Sequence, residues 1–223
     1  MSTMTTMPVK AQRIPIGGGT WLHADVTMPP DAKGVVLFAH GSGSTRHSPR
    51  NRYVASEFNH LQFGTVLADL LTAEEEALDE RSGAFRFDIG LLARRVVEMI
   101  DWMETQQLGL PIGLLGASTG AAAALDAAAA RPHVVRAVVS RGGRPDLAMR
   151  LEQVQAPTLL IVGAADTAVL QMNRDALERL TCPKELEIIP GATHLFEEPG
   201  TLESVAMAAG AWFADYLPSV VTR

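Results

Sequence analysis

Short, continuously apolar runs alternate with helix-forming segments along most of this chain, and this alternation restricts the possible folds most. The apolar runs are Gly34–Ala39, Thr65–Asp69, Ile112–Leu115, Val134–Ser140, Thr158–Val162 and Glu185–Ile189. Helices are predicted near Pro49–Leu61, Phe87–Thr105, Thr119–Ala130, Asp175–Leu180 and Leu202–Tyr216. Such a pattern indicates an α/β fold, in which helices cover both faces of a parallel sheet. Before it, Gln12–Ile16 and Thr20–Thr27 flank three glycines, which predicts an antiparallel hairpin at the start of a mostly parallel sheet.

The length of 223 residues suits a single domain with a large core. We predict a disordered or extended N-terminus over residues 1–10 and one α/β domain over residues 11–223. The segment Met1–Lys10 is polar and lacks the apolar centre of a signal peptide. No apolar window approaches the length of about 20 residues that crosses a bilayer. We therefore expect a cytoplasmic protein that does not bind membranes.

Charge and cysteine content exclude other classes of protein. The formal net charge is −6, which leaves no basic footprint for nucleic acid. The single cysteine, Cys182, excludes a disulfide framework or a cysteine-rich zinc site, and we interpret it as a buried apolar residue. The sequence implies no metal and no organic cofactor.

Gly116-Ala117-Ser118-Thr119-Gly120 lies between an apolar run and the alanine-rich stretch Ala121–Ala130. A strand that turns sharply into a helix at Gly-x-Ser-x-Gly exposes its serine hydroxyl at the edge of the sheet. The outer glycines are needed where backbone packs on backbone without room for a Cβ. The free N–H groups of the following helix face the place where negative charge develops in acyl transfer. This motif makes Ser118 the candidate nucleophile.

Two further residues that follow strands complete a catalytic triad. Ligands bind at the carboxyl ends of the strands in an open parallel sheet. Asp166 directly follows one predicted strand and His194 follows the next. A serine needs a base, and a histidine base needs a carboxylate that sets its tautomer. The order Ser118, Asp166, His194 is the one expected on this fold. Alternatively, Asp166 caps a helix and His194 is an exposed loop residue.

The loop His40-Gly41-Ser42-Gly43 also follows a predicted strand. Its glycines allow the backbone to approach a substrate carbonyl, so we predict that the backbone N–H groups of Ser42 and Thr119 form an oxyanion hole. His40 is interpreted as a hydrogen-bonded residue that orients the loop. The alternative is an ordinary tight turn.

With these motifs the chain resembles the α/β-hydrolases, and specifically the small, cap-less branch that includes the dienelactone hydrolases. The resemblance covers nearly the whole chain. It implies Ser118 as nucleophile, Asp166 as acid, His194 as base, and the Ser42 and Thr119 amides as oxyanion donors. The dienelactone hydrolases carry cysteine at the nucleophile position, whereas this chain carries serine. The resemblance therefore implies a general serine esterase, and the short segment Arg141–Pro157 predicts a site that is open or covered only by loops.

Five arginines follow strands at the same predicted edge: Arg46, Arg50, Arg52, Arg141 and Arg144. One functional interpretation is that Arg46, Arg141 or Arg144 binds a carboxylate or phosphate of the substrate. The structural alternative, which we favour, is ion pairing with the acidic segment 74–80 or with Asp146. That acidic segment is interpreted as a solvated loop or helix face.

The expected activity is hydrolysis of a carboxylic ester, lactone or thioester through an acyl-enzyme. An acyltransferase that uses the same triad stays open, as does a binding protein that has kept the fold without the chemistry. A nucleotide-binding module is disfavoured because the glycine-rich segment lacks the lysine of a P-loop. The expected partner is a small-molecule ester, with no nucleic acid and no membrane, and the protein is expected to be a monomer or homodimer.

Overall fold

Eight strands form one sheet in a computed structural model that describes residues 7–217. The strands are β1 (Lys10–Pro15), β2 (Trp21–Thr27), β3 (Val35–Ala39), β4 (Gly64–Ala68), β5 (Ile112–Ala117), β6 (Val135–Arg141), β7 (Thr158–Gly163) and β8 (Lys184–Ile189). Their spatial order is β1-β2-β4-β3-β5-β6-β7-β8. The first two strands pair antiparallel, β2 pairs antiparallel with β4, and the remaining pairs are parallel. The predicted α/β architecture with an N-terminal hairpin is confirmed.

The described part of the chain contains six α-helices, which surround the sheet. They are α1 (Pro49–His60), α2 (Ala73–Ser82), α3 (Ile89–Thr105), α4 (Thr119–Ala130), α5 (Thr167–Arg179) and α6 (Thr201–Tyr216). Helices α3, α4 and α5 contribute buried residues to the core on one face, and α1 and α6 contribute to the core on the other. Strands β3, β4, β5 and β7 are buried along their whole length, as expected for strands that are covered on both faces.

Helix α4 lies in the centre of the molecule, directly after the candidate nucleophile. The residues from Thr119 to Ala128 are all buried. Alanine favours the helix and has almost no side chain, so α4 packs closely against α3 and β5. The helix N-terminus is thereby held firmly at the edge of the sheet where the motifs lie.

Two helices differ from the prediction. Helix α2 occupies the acidic segment and begins with a capping box, in which Thr72 and Glu75 bond to each other's backbone N–H groups. Helix α5 starts at Thr167 rather than at Asp175. Its buried face includes the polar residue Asn173, which donates to the carbonyls of Gly143 and Val169. A buried asparagine interrupts the apolar periodicity that marks a helix in sequence.

The N-terminal segment predicted to be disordered or extended falls only partly within the described chain. Residues 1–6 lie outside the described residues, and Lys10 already begins β1. No helix in the stretch from residue 7 to residue 217 is both long enough and apolar enough to span a bilayer.

Candidate active site

Ser118 lies at a sharp turn between β5 and α4. Its backbone has φ 51° and ψ −123°, a conformation that residues with a Cβ rarely adopt. A Cβ on Gly116 would collide with the backbone of Ala121, and one on Gly120 would collide with the carbonyl of Ala39. The two glycines of the motif therefore allow the strand, the turn and the helix to pack at backbone distance. The turn leaves Ser118 partly exposed while Thr119 is buried.

His194 and Asp166 meet at the same edge of the sheet. The distance between His194 Nδ1 and Asp166 Oδ2 is 2.7 Å. A carboxylate only accepts, so Nδ1 carries the proton and Nε2 is left as a free acceptor. Asp166 occupies the N-cap position of α5, but its side chain caps no backbone N–H. The carboxylate is used by the imidazole and not by the helix, which favours the catalytic interpretation over the capping one.

The turn that follows β6 connects Ser118 with His194. Ser118 N–H donates to the carbonyl of Arg141 at 3.3 Å, and Arg144 N–H donates to the carbonyl of Ser118 at 3.0 Å. A methyl group on Gly142 would lie 3.6 Å from His194 Nδ1. Within residues 7–217 the Ser118 hydroxyl is not hydrogen-bonded to the imidazole. Such bonds are often long or poorly aligned before substrate binds.

The loop that begins at His40 lies directly against Ser118. A Cβ on Gly41 would be 2.9 Å from Ser118 Cβ and 3.7 Å from Oγ. His40 Nε2 accepts from Leu70 N–H at 3.0 Å, so Nδ1 carries the proton and donates to the carbonyl of Gly41 at 2.9 Å. Burial lowers the pKa of His40, although the Gly41 bond and the charge of Asp69 oppose it. His40 is thus a neutral residue that anchors the loop and has no free acceptor.

The predicted oxyanion donors are the backbone N–H groups of Ser42 and Thr119, and Ser42 directly follows Gly41 in the loop that lies against Ser118. Thr119 is the first residue of α4, so its N–H has no acceptor within the helix. Ser42 is exposed and is followed by Gly43 with φ 68°, which turns the loop. Within the described chain neither amide donates to another protein atom. Both donors are available to a ligand, as an oxyanion hole requires.

A cavity of about 330 Å³ opens beside the same loop and reaches helix α2. Its lining includes His40, Ser42, Leu70, Leu71, Glu76, Glu80, Arg86 and Leu92. Partial burial, together with the charges of Asp69 and Glu80, raises the pKa of Glu76. Two other acidic residues that line this cavity have their charge balanced by an arginine, because Asp69 pairs with Arg46 and Asp79 pairs with Arg86.

Most of the arginines at this edge are held in ion pairs. Arg46 binds the carboxylate of Asp69, and Arg144 binds both oxygens of Asp146 at 2.8 Å. Arg52 pairs with Asp25 and Arg50 with Glu197. Arg144 therefore has the partner expected from the sequence, whereas Arg46 pairs with Asp69 instead of the acidic segment. Arg141 pairs with no carboxylate among residues 7–217.

The loop that carries His194 is held by residues that sequence reasoning did not single out for this role. Glu198 accepts from the hydroxyl of Thr193 at 2.6 Å and from its N–H at 3.1 Å. Phe196 is 2% exposed and has φ 54°, so the chain bends to insert this ring into the core. The sequence carries no local signal for either contact, because both depend on how the loop folds back on itself. Among residues 7–217, no cluster of histidine, cysteine and carboxylate side chains is arranged to hold a metal.

These features are typical of an α/β-hydrolase: the order of the strands in the sheet, a strained serine between a strand and a helix, and an aspartate and a histidine after neighbouring strands. Residues 22–216 match the sequence model of the dienelactone hydrolase family. The chain therefore belongs to the dienelactone hydrolase family.

Solved structures agree with this assignment. A dienelactone hydrolase from Anabaena variabilis is 54% identical, with a TM-score of 0.90 over 95% of this chain and 99% of that one. The protein Est1E from Butyrivibrio proteoclasticus shares the fold at 17% identity, with a TM-score of 0.77 over 92% and 98% of the two chains. An a/b serine hydrolase without lid from Xanthomonas campestris also shares it, at 23% identity and a TM-score of 0.73 over 98% and 100%.

Curated relatives carry a different name. Two proteins of Mycobacterium tuberculosis, each named "putative phosphoribosyl transferase", are 54% identical over 213 residues. The alignment covers 94% of this chain but 46% of those proteins. The chain thus spans about half the length of the curated relatives that it matches.

Proposed function

We propose that this chain is a serine hydrolase that cleaves a carboxylic ester, with Ser118 as nucleophile, His194 as base and Asp166 as the acid that orients the base. The observation that carries the proposal is the bond of 2.7 Å between His194 Nδ1 and Asp166 Oδ2. In the neutral imidazole this bond sets the tautomer in which Nε2 is unprotonated, which is the form that removes a proton from a serine. The strained turn at Ser118 presents the hydroxyl at the same edge.

The first half of the reaction forms an acyl-enzyme. His194 Nε2 takes the hydroxyl proton while Ser118 Oγ forms a bond to the substrate carbonyl carbon. The carbonyl oxygen becomes an oxyanion and accepts from the N–H groups of Ser42 and Thr119. When the intermediate collapses, the bond to the leaving oxygen breaks, and the imidazolium returns its proton to the departing alcohol.

The second half releases the acid. His194 removes a proton from water, the resulting hydroxide adds to the acyl carbon, and the bond to Ser118 Oγ breaks as the serine recovers its proton. Water is the proposed acceptor because the site is open. The segment between β6 and β7 contains only two 3₁₀ turns, Pro145–Leu147 and Leu151–Gln153, and no inserted cap.

The name of one relative supports the proposal that this chain is a hydrolase. The Anabaena protein is called a dienelactone hydrolase and shares more than half of its residues with this chain. The transferase name belongs to proteins about twice as long, of which this chain matches less than half. The residues of the candidate site therefore support the proposed reaction, and the transferase name does not bear on it.

Active-site labelling tests the proposal. A fluorophosphonate probe is expected to modify Ser118, with the modified peptide located by mass spectrometry. Ser118→Ala should lower the turnover of p-nitrophenyl butyrate by about 10⁶-fold and abolish labelling. Ser204→Ala is the matched control, since this serine is half-buried on α6 and its hydroxyl donates to the carbonyl of Gly200 within the same segment. Wild-type turnover in the Ser118 variant, or labelling at another serine, would refute the proposal.

A further inference from the structure

We propose that Glu198 is a positioning residue for the candidate base, and that it acts through Thr193 to hold the backbone from which the imidazole of His194 extends. This inference rests on the function proposed above and goes beyond it, because it assigns a role to a carboxylate that takes part in no bond-making step. The supporting observations are the two bonds from Glu198 to Thr193, a second contact on the same peptide group, and the anchoring of Glu198 to α6.

Both oxygens of the Glu198 carboxylate bind Thr193. Oε1 accepts from the threonine hydroxyl at 2.6 Å, and Oε2 accepts from its backbone N–H at 3.1 Å. Thr193 is the residue directly before His194. Two bonds from one planar carboxylate fix the orientation of their partner as well as its position, whereas a single bond leaves the partner free to rotate. The contact therefore sets the direction in which the chain enters His194.

The turn between β7 and α5, which carries the candidate acid, holds the same peptide group from the other side. Ala165 N–H donates to the carbonyl of Ala192 at 2.9 Å. That carbonyl and the N–H of Thr193 belong to one planar peptide group, in which they point in opposite directions. A Cβ on Gly163 would collide with the carbonyls of Ala192 and Thr193, so the two segments pack at backbone distance. The peptide group is thus fixed between the turn of the acid and Glu198.

Glu198 is itself anchored to a helix of the core. Its carbonyl accepts from the N–H of Thr201 at 3.1 Å and from the Thr201 hydroxyl at 2.7 Å. Thr201 is buried and begins α6, whose buried side chains belong to the core on one face of the sheet. The residues on either side of His194, Thr193 and Leu195, are exposed. Glu198 therefore connects an exposed stretch of the loop to a packed helix.

The alternative is that Glu198 serves only to begin α6, since a carboxylate near a helix N-terminus is stabilising. Its hydrogen bonds contradict this. The N-cap of α6 is Gly200, which provides no side-chain cap, and both oxygens of Glu198 are bound to Thr193 instead. The hydroxyl of Thr193, followed by backbone N–H groups of the loop, lowers the pKa of Glu198. At neutral pH the carboxylate is therefore ionised, the form that accepts from both donors.

The proposed reaction depends on where the imidazole is held. Asp166 binds Nδ1 of His194 at 2.7 Å, but a ring bound at one nitrogen can rotate about that bond. Proton transfer requires Nε2 to come within hydrogen-bonding distance of Ser118 Oγ. A displacement of about 1 Å in such a geometry costs about 100-fold in rate. By fixing the backbone at the start of the loop, Glu198 restricts the movement that Asp166 alone would allow.

The kinetics of p-nitrophenyl butyrate hydrolysis test the inference. Glu198→Ala should lower kcat by about 10–100-fold, because the imidazole is less well placed, and leave KM close to its wild-type value. Glu197→Ala is the matched control, because it removes the same charge from the neighbouring residue, whose carboxylate is 64% exposed and pairs with Arg50. The control should keep the wild-type kcat. Equal kcat values in the two variants would overturn the inference.

Variants of Thr193 separate this contact from a general effect of losing the carboxylate. Thr193→Ser keeps both donors and should retain the wild-type kcat, whereas Thr193→Val loses the hydroxyl and should lower kcat in part. In the Glu198→Ala protein, Thr193→Val should cause no further loss, because both changes remove the same contact. Additive losses would show that the two residues act separately, and would overturn the inference. Circular dichroism checks folding, and Glu198→Gln, which keeps one acceptor oxygen, replaces Glu198→Ala if that variant does not fold.

Proton NMR provides a readout without turnover. The proton on His194 Nδ1, in its short bond to a carboxylate, is expected to give a signal far downfield, and loss of the signal in Asp166→Asn assigns it. Glu198→Ala should broaden or remove this signal, because a more mobile ring exchanges its proton faster with water. Glu197→Ala should leave the signal as it is in wild type.

The two proposals fail in different ways. If butyrate turnover depends on Ser118 but Glu198→Ala retains both the wild-type kcat and the NMR signal, the inference about Glu198 is overturned and the hydrolase stands. If no ester is cleaved but the signal of His194 depends on Glu198, the positioning role stands without the hydrolase. A loss of kcat that Glu197→Ala reproduces would also overturn the inference.

Discussion

The strain at Ser118 predicts that the candidate nucleophile lowers the stability of the fold. Its φ of 51° and ψ of −123° lie outside the regions open to residues with a Cβ. Glycine adopts this conformation freely, whereas serine and alanine do not. We therefore compare Ser118→Gly with Ser118→Ala, two variants that both lack the hydroxyl and differ only in the Cβ.

The expected magnitude follows from two opposing contributions. Backbone strain of this kind costs about 1–3 kcal/mol, which Ser118→Gly releases and Ser118→Ala retains. Glycine also gives the unfolded chain more freedom, which offsets about 0.4–1 kcal/mol of the gain. The glycine variant should therefore be more stable than the alanine variant by about 1 kcal/mol, or about 2–4 °C in Tm for a chain of this size.

Urea denaturation followed by circular dichroism measures the difference in the free energy of unfolding. Both variants should be inactive, so a difference in stability cannot come from turnover or from bound product. An ordinary, unstrained position would give the opposite order, with the glycine variant less stable by about 0.5–1 kcal/mol. That result would contradict the argument from strain.

Further predictions concern Asp166, the packing of the turn between β5 and α4, and Cys182. Asp166→Asn should lower kcat for p-nitrophenyl butyrate by about 10⁴-fold, because an amide no longer fixes the imidazole tautomer; a loss below tenfold would assign the acid elsewhere. Gly120→Ala should lower Tm steeply or prevent soluble expression, because its Cβ would collide with the carbonyl of Ala39. Gly90→Ala serves as its control, since a Cβ there meets its neighbours at 3.4 Å or more and Tm should hardly change. Burial raises the pKa of the Cys182 thiol, so a disulfide reagent should label it slowly in the native protein and rapidly in urea; rapid native labelling would show that the thiol is accessible.

Local patterns were sufficient to predict most of the fold. Each of the eight predicted strands is present. The apolar runs predicted six of them, and the glycine-separated segments near the N-terminus predicted the two strands of the hairpin. The acidic segment was predicted only as a loop or a helix face, although Thr72 and Glu75 form a capping box that marks the start of α2 in the sequence. The start of α5 was missed because the polar residue Asn173 lies on its buried face and donates to the distant carbonyl of Gly143, a contact that no local pattern reveals.

The candidate site was predictable only in part. The order and spacing of Ser118, Asp166 and His194 relative to the strands was enough to predict that they lie at one edge, because parallel strands end together. The state of the arginines was not predictable. Arg46 and Arg141 look alike in sequence, but one meets Asp69 and the other meets no carboxylate in the described chain. That difference depends on side-chain packing across distant segments.

Two backbone hydrogen bonds join residue 118 to the turn after β6. They fix the geometry of the turn between β5 and α4 independently of which side chain residue 118 carries. The N–H and the carbonyl of Ser118 are both held by residues 141–144, and neither bond involves the hydroxyl. Replacing the side-chain oxygen with sulfur at this position would leave the turn intact and alter only the reactivity of the attacking atom. A scaffold built in this way can exchange one acyl-transfer chemistry for another by a single substitution, without having to refold its surroundings.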